Sequence, residues 1–317
     1  MCFLYKIYYR VSQNNEPFFF RFFLTGLLLL LYSLHAQAQT INSLRQKIDR
    51  IIYSSKADIG ACISGIEDKD SLAFHGKRHF PLQSVFKFHI ALTVLHQIDQ
   101  GKYSLGQKIF LAKKDLSLKT WSPLRDKYPE GNVWVSLAEI LNYTVSQSDN
   151  NGCDFLLRLI GGVSSVNDYI HQIGVRDFSI RVNEEEMQKI WDTQFTNWTT
   201  PADAVKLLKI FYSGNVLSGK AREFMMNALT ESPTGPNRIK GQLPAGTLVA
   251  HKTGTSGTNV KGIVGAINDM GIVTMANGKH YAITVFVSNS MENTETNEKI
   301  ISDISKLTWD YFTNRKQ

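Results

Sequence analysis

Ser84-Val85-Phe86-Lys87-Phe88-His89-Ile90-Ala91-Leu92-Thr93-Val94-Leu95-His96-Gln97-Ile98 is the stretch on which the fold turns. Phe88, Ala91, Leu92, Leu95 and Ile98 recur at helical spacing, so the run predicts a helix with a buried face, ended by Gly101. Upstream, residues 43–52 repeat Leu44, Ile48, Ile51 and Ile52 as a first helix. Two strand-like runs follow at 59–65 and 71–74, and the turn-like Glu67-Asp68-Lys69-Asp70 between them predicts a hairpin. Downstream, helical patterns occupy 136–145, 153–160, 163–170, 201–212 and 221–229. Residues 179–200 are polar, carry tryptophans and show no clear period, which marks a long ordered loop. After Gly241, strands return at 247–251, 262–267, 271–275 and 281–288, and 296–312 reads as an amphipathic closing helix. Strands at both ends and helices between them give an α/β (α+β) fold. One antiparallel sheet is built from both ends of the chain, flanked by the terminal helices, with an all-helical domain inserted. The implied division is 39–80 with 235–317 for the sheet domain, and 81–234 for the helical domain with the loop 179–198.

The 317 residues are 43% hydrophobic and 20% charged, which excludes a disordered or fibrous chain. The net charge of +7 is scattered, with no Lys/Arg block for a phosphate backbone, so nucleic acid is discounted. Lys6, Arg10 and Arg21 precede the apolar run 22–34, and Ala36-Gln37-Ala38 follows with the small residues a signal peptidase needs. That run is too short to cross about 30 Å of hydrocarbon as a permanent anchor. Residues 1–38 are therefore read as an export signal, with the mature chain starting near Gln39 and no membrane segment after cleavage. Cys2 leaves with the signal; Cys62 and Cys153 remain and need not pair. The histidines are dispersed and no metal-ligand spacing appears, so no metal or cofactor is expected.

Three short motifs stand in order: Ser84-Val85-Phe86-Lys87, Ser148-Asp149-Asn150 and Lys252-Thr253-Gly254. Each has a plain reading on its own: a helix cap followed by a solvated lysine, a turn, a strand end. Together they describe nucleophilic chemistry on a carbonyl. Ser84 and Lys87, three apart at a helix start, share a face. A hydroxyl needs an adjacent proton acceptor to attack at neutral pH, and free N–H groups at a helix start stabilise an oxyanion.

These motifs, with Pro81-Leu82-Gln83-Ser84, Lys119-Thr120-Trp121-Ser122-Pro123, Gly152-Cys153-Asp154, Gly241-Gln242-Leu243-Pro244 and His251-Lys252-Thr253-Gly254-Thr255-Ser256-Gly257, resemble the class A serine β-lactamases, and within them the PER- and VEB-like extended-spectrum branch. The resemblance covers essentially the whole mature chain. It implies a five-stranded sheet and hydrolysis of penicillins and cephalosporins, oxyimino-cephalosporins among them, through a Ser84 acyl-enzyme. It also implies a periplasmic monomer whose only partner is the small-molecule β-lactam. Lys87 or Glu184 would be the base for acylation, and Glu184, in Asn183-Glu184-Glu185-Glu186-Met187, would activate the hydrolytic water. Glu185 and Glu186 read as a solvated face. Ser148 would relay a proton to the leaving nitrogen, and Asn150 would hold the substrate's amide and Lys87. Asp149 reads as structural. Lys252 would supply positive potential. Thr253 and Thr255 would bind the substrate carboxylate. The backbone N–H groups of Ser84 and Thr255 would form the oxyanion hole. Arg238 matches an extra carboxylate-binding arginine, against the plainer reading of a surface loop arginine. Trp121 matches an aromatic wall at the cleft mouth, against a buried core tryptophan.

The departures from the family pattern are equally specific. Val182 and Asn197 occupy the places of an Arg–Asp bridge that usually braces the glutamate-bearing loop. Asp154 replaces an asparagine, and the expectation is that it accepts a hydrogen bond from Asn197. Gln188 replaces the asparagine that usually helps hold the hydrolytic water. Gln83 and Ser256 stand where many carbapenemases carry a cysteine pair. The rival functions are a penicillin-binding DD-peptidase, which lacks the deacylating glutamate, and a non-catalytic β-lactam sensor, which would stay acylated.

Overall fold

In the computed structural model, which describes residues 40–314, the chain runs α1 (Ile41–Ser54), β1 (Asp58–Gly65), β2 (Ser71–Phe74), β3 (Phe80–Pro81), a 3-10 turn (Gln83–Val85) and α2 (Phe86–Asp99). Then follow β4 (Lys108–Leu111), α3 (Pro123–Lys127), β5 (Val133–Ser136), α4 (Leu137–Ser146), α5 (Asn150–Ile160) and α6 (Val163–Gln172). The loop region holds β6 (Phe178–Ser179), α7 (Glu184–Met187), a 3-10 segment (Trp191–Thr196) and β7 (Trp198–Thr199). The chain ends through α8 (Pro201–Ser213), α9 (Gly219–Thr230), β8 (Val249–Thr255), β9 (Val264–Thr274), β10 (His280–Ser290) and α10 (Thr294–Asn314). The proposed export signal lies outside the described residues.

The main sheet has five strands in the order β2-β1-β10-β9-β8, all antiparallel. Edge strand β2 alternates exposed and buried residues. β9 and β10, by contrast, are buried along almost their whole length because helices cover both faces. On one face Ile59, Ala61, Ile63, Leu72 and Phe74 pack with Leu44, Ile48 and Ile52 of α1 and with Ile300, Ile304 and Phe312 of α10. On the other face Ala250, Met270, Ile272, Ala282 and Phe286 join the core of the helical layer.

Two expectations are corrected by the sheet and its helix. Segments 262–267 and 271–275 are one continuous strand, β9, rather than two. The intervening Asn268-Asp269 looks like a turn in sequence, yet both side chains are fully buried. Asn268 Nδ2 donates to Pro81 O at 2.7 Å and Leu82 O at 3.3 Å, and the Asp269 carboxylate meets His251 Nδ1 at 2.9 Å. Helix α2, expected to bury one face, is buried at every residue from Phe86 to Leu95. It runs through the middle of the helical layer against α4, α5, α6 and α9, so this stretch has no outward side, and only the last turn up to Asp99 reaches the surface. Gly101, at φ +78°, ends it as expected. Cys62 and Cys153 are both buried thiols with no disulfide.

The Asn268 anchor ties the sheet to the residues just before Ser84. Asn268→Ala removes the amide donor from buried Pro81 O, while Leu82 O keeps the N–H of Val85 at 3.2 Å. The expected result is a loss of about 2 kcal/mol in denaturant unfolding, with far-UV circular dichroism unchanged.

Candidate active site

Ser84 lies in the 3-10 turn that leads into α2, and the backbone there is unusual. Gln83 has φ +48° and is 6% exposed. A β-carbon on Gly254 would lie 2.6 Å from Leu82 O, so glycine in the Lys252-Thr253-Gly254 strand lets β8 press against the nucleophile turn. One helical turn on, Lys87 points back at Ser84. Its Nζ donates to Ser84 Oγ at 2.7 Å, to Asn150 Oδ1 at 2.6 Å and to Ser148 O at 3.1 Å, and sits 2.6 Å from Glu184 Oε1. Glu184 Oε1 is 3.4 Å from Ser84 Oγ. The Lys87 side chain is fully buried and that of Glu184 nearly so. Burying such an ion pair is tolerable only because the remaining donors and acceptors are also satisfied.

Ser148 and Asn150 occupy the junction of α4 and α5. Asp149 caps α5, accepting from the backbone N–H of Gly152 and of Leu124 (both 2.7 Å) and from Ser122 Oγ, and burial pushes its carboxyl upward. It is structural, as expected, and it holds Ser148 at φ +58°. In that pose Ser148 faces both lysines: its carbonyl accepts from Lys87, and its Oγ accepts from Lys252 Nζ at 2.9 Å. Burial drives Lys252 well below the ordinary lysine value and the like charge of Lys87 adds to this, while Glu184 and Asp269 oppose it.

The loop carrying Glu184 is ordered by amide and carboxylate contacts to its own backbone. Asn197 Oδ1 accepts from the N–H groups of Arg181 and Val182, and its Nδ2 donates to Val182 O. Asp154 does not accept from Asn197, contrary to the expectation. Its two oxygens take the N–H groups of Glu184 at 2.8 Å and Glu185 at 3.0 Å. The free N–H groups at the start of α7 point at Asp154, so the carboxylate binds there instead. Glu185 and Glu186 are exposed, although Glu186 also closes a capping box with Asn183.

A cleft of about 700 Å³ opens over these groups, lined among others by Ser84, Trp121, Ser148, Asn150, Glu184, Arg238, Thr253 and Thr255. Trp121 is 61% exposed at its edge, which excludes the core reading. Arg238 is buried, which excludes the surface reading. Its Nη2 donates to Thr255 Oγ1 at 2.8 Å, its Nη1 to Gly254 O and Asn268 O, and its Nε to Glu298. Thr253 Oγ1 is 2.7 Å from Thr234 Oγ1.

The sequence reading missed several connections, some of them made by residues it had named. Thr120 Oγ1 accepts from both Asn150 and Gln188, placing Gln188 at the cleft wall. Gln83 donates to Gln194 Oε1 at 2.7 Å, pinning the loop to the nucleophile turn. Thr234 backs Thr253, and Asn268 and Asp269 anchor the far side. Gln194, Thr234, Asn268 and Asp269 belong to no local motif, whereas Thr120, Gln83 and Gln188 stand in recognised stretches or positions whose contacts the sequence did not reveal. The one available signal was two polar residues interrupting the apolar run of β9. Among the described residues no cluster of His, Cys, Asp or Glu is arranged to hold a metal ion.

Comparison with known proteins places this geometry in context. A family model described as the β-lactamase enzyme family matches residues 43–312. β-Lactamase VEB-1 of Pseudomonas aeruginosa is 48% identical over 91% of this chain and 98% of its own. The extended-spectrum β-lactamase PER-1 of the same organism is 38% identical over 84% and 87%. The crystal structure of the TLA-1 extended-spectrum β-lactamase aligns with TM-score 0.85 and 50% identity, covering 86% of this chain and 99% of that one.

Asp154 gives the loop a pH signature. Burial, as the largest cause, and Glu184 raise its carboxyl to about 6, while the backbone N–H groups of Glu184 and Glu185 oppose the rise. A value raised on folding adds stability that is complete below the usual 3.8 and is lost as pH rises through about 6. Asp154→Asn does not titrate, so the wild type should gain on the variant by up to roughly 3 kcal/mol between pH 8 and pH 4. Denaturant unfolding at the two pH values measures this; a constant difference contradicts it.

Proposed function

The chain belongs to the β-lactamase enzyme family as a class A serine enzyme, and from that membership we propose that Ser84 opens the lactam ring and Glu184 directs water to release the product. The enzyme hydrolyses the β-lactam amide and so confers resistance to the antibiotic. The observation that carries the residue assignment is the convergence of Ser84, Lys87 and Glu184, with Lys87 Nζ 2.7 Å from the hydroxyl and 2.6 Å from the carboxylate.

In acylation Ser84 Oγ attacks the lactam carbonyl, and its proton leaves toward Glu184. The route is either direct, along the 3.4 Å line, or through Lys87, which contacts both groups. Both routes end on the same carboxylate. The developing oxyanion is received by the backbone N–H groups of Ser84 and Thr255. As the C–N bond breaks, Ser148 delivers its hydroxyl proton to the nitrogen and is resupplied by Lys252, 2.9 Å away. Before deacylation Glu184 releases the Ser84 proton to solvent and Lys252 regains the one it gave, so the net transfer of acylation is from Ser84 to the lactam nitrogen. Glu184, again a carboxylate, then takes a proton from water, the hydroxide adds to the ester carbonyl, and Ser84 leaves with a proton. Microscopic reversibility gives it the same Lys87–Glu184 path.

The substrate's carboxylate fits the end of the cleft formed by Thr253, Thr255 and Arg238, under the potential of Lys252. Four Arg238 N–H groups are engaged, one on Nε, two on Nη1 and one on Nη2. A fifth remains on Nη2 for an anion. Asn150 and Trp121 flank the opposite end, where the acyl side chain lies. The breadth of the cleft, with the likeness to VEB-1 and PER-1, supports oxyimino-cephalosporins as substrates. The 1–38 signal reading supports the periplasm, and among the described residues no helix is long and apolar enough to cross a membrane.

Glu184→Ala should acylate and then stall. With a chromogenic cephalosporin the expected outcome is one stoichiometric burst, a mass increase on Ser84, and turnover reduced by about a thousandfold or more. Sustained turnover in that variant removes Glu184 from the mechanism. A wild type that stalls after one equivalent is a peptidase or sensor.

A further inference from the structure

Asp269 is a fully buried carboxylate that the reaction scheme does not use. Strand alternation explains its position. Lys252 pairs with Met270, whose side chain belongs to the helical core, so both point to that face. His251, Thr253 and Asp269 take the other face, as the pairing of Thr253 with Asp269 requires. There the Asp269 oxygens lie 2.9 Å from His251 Nδ1, and Oδ2 accepts from the backbone N–H of Ile239 at 3.1 Å. His251 directly precedes Lys252, and Ile239 directly follows Arg238. The preceding residue completes the joint, because Asn268 O accepts from Arg238 Nη1 at 3.0 Å.

We propose that Asp269 is a positioning residue for the reaction: its carboxylate locks His251 to the Arg238–Ile239 turn and so holds Lys252 and Arg238 as a fixed pair of cations facing the substrate's carboxylate. This rests on the carboxylate site described above. Arg238 itself reaches the far end of β8 at Gly254 O and Thr255 Oγ1, and Asp269 adds the charged tie at His251, the residue next to Lys252. The charge acts as well as the shape. The ionisable groups around this joint are Lys252 across the strand, His251 beside Asp269, and Arg238 with its partner Glu298. Lys240 also faces Asp269, and Lys87 and Glu184 act on Lys252 from the helical side. Burial lowers Lys240, and Asp269 opposes that fall as it does for Lys252. Asp269 is thus an anion that acts on one fully buried lysine, Lys252, and one half-buried lysine, Lys240.

The test is Asp269→Asn in the full enzyme, with Arg238→Ala as a control. The variant keeps size and hydrogen-bonding capacity and removes the charge. The expected result is a fall of about tenfold in kcat/KM through KM, with kcat retained. The alkaline limb of the kcat/KM profile should also move to lower pH by about half a unit to one unit, because Lys252 loses an opposing anion. Unchanged KM and an unmoved limb overturn the proposal, even if the melting temperature falls. If the variant does not fold, His251→Gln replaces it. That change should raise KM while leaving the limb in place, since the anion persists, and an unchanged KM again overturns the proposal. An Arg238→Ala enzyme with normal KM instead overturns the carboxylate site itself. A raised KM there with a normal Asp269→Asn enzyme refutes Asp269 alone.

Discussion

The Lys87 ammonium is the group around which the molecule is arranged. It is buried in the part of a helix that has no solvent face, residues 86–95, and it touches Ser84, Asn150, Ser148 and Glu184. An isolated charge in that position costs far more than any local packing returns. Each partner therefore has to arrive from a different part of the chain and stay there. Much of the fold serves that end: α5 delivers Asn150 on an Asp149 cap, and the loop delivers Glu184 on an Asp154 anchor. The nucleophile turn is clamped from beneath by Asn268.

The loop shows how one function survives the loss of a familiar brace. With Val182 and Asn197 present, an arginine–aspartate bridge cannot form. The structure substitutes contacts between side chains and backbone. Asn197 gathers the entrance of the loop through three bonds, and Asp154 receives the two N–H groups that open α7. The carboxylate that would clash with Glu184 if placed elsewhere is instead held by Glu184's own amide. Gln83 and Gln194 add a neutral clasp across the floor of the cleft. These bonds fix backbone rather than side-chain charge, so the position of Glu184 does not depend on a surface ion pair that salt would weaken.

The fold was legible where periodicity and burial agree. The terminal helices, β1, β2 and β10 fall within a few residues of their expected limits, because each presents one apolar pattern to one core. Reading failed at Asn268-Asp269, where turn-like residues lie inside a strand; their polarity is consumed by the active-site framework, and no local pattern reveals a partner nearly 190 residues away. The site residues were legible as types, since Ser84, Lys87, Ser148 and Lys252 stand in recognisable triplets. Their couplings were not. Asp154 was expected to bond Asn197, because both departed from the family pattern together. Each in fact compensates independently by binding backbone. Co-occurring departures drew attention to the loop without identifying its contacts.

The two lysines of the cleft divide its work by their surroundings. Lys87 has a carboxylate at 2.6 Å, so proton movement between Ser84 and Glu184 can pass through it without creating an isolated charge. Lys252 has no carboxylate in contact; its Nζ meets a hydroxyl and a carbonyl, and burial disfavours its charge. A cation held in that condition gains most when an anion enters the cleft, which makes it a binding group as much as an acid. Substrate carboxylate and Lys252 charge therefore favour one another. The same encounter that seats the substrate readies the Ser148 proton for the departing nitrogen.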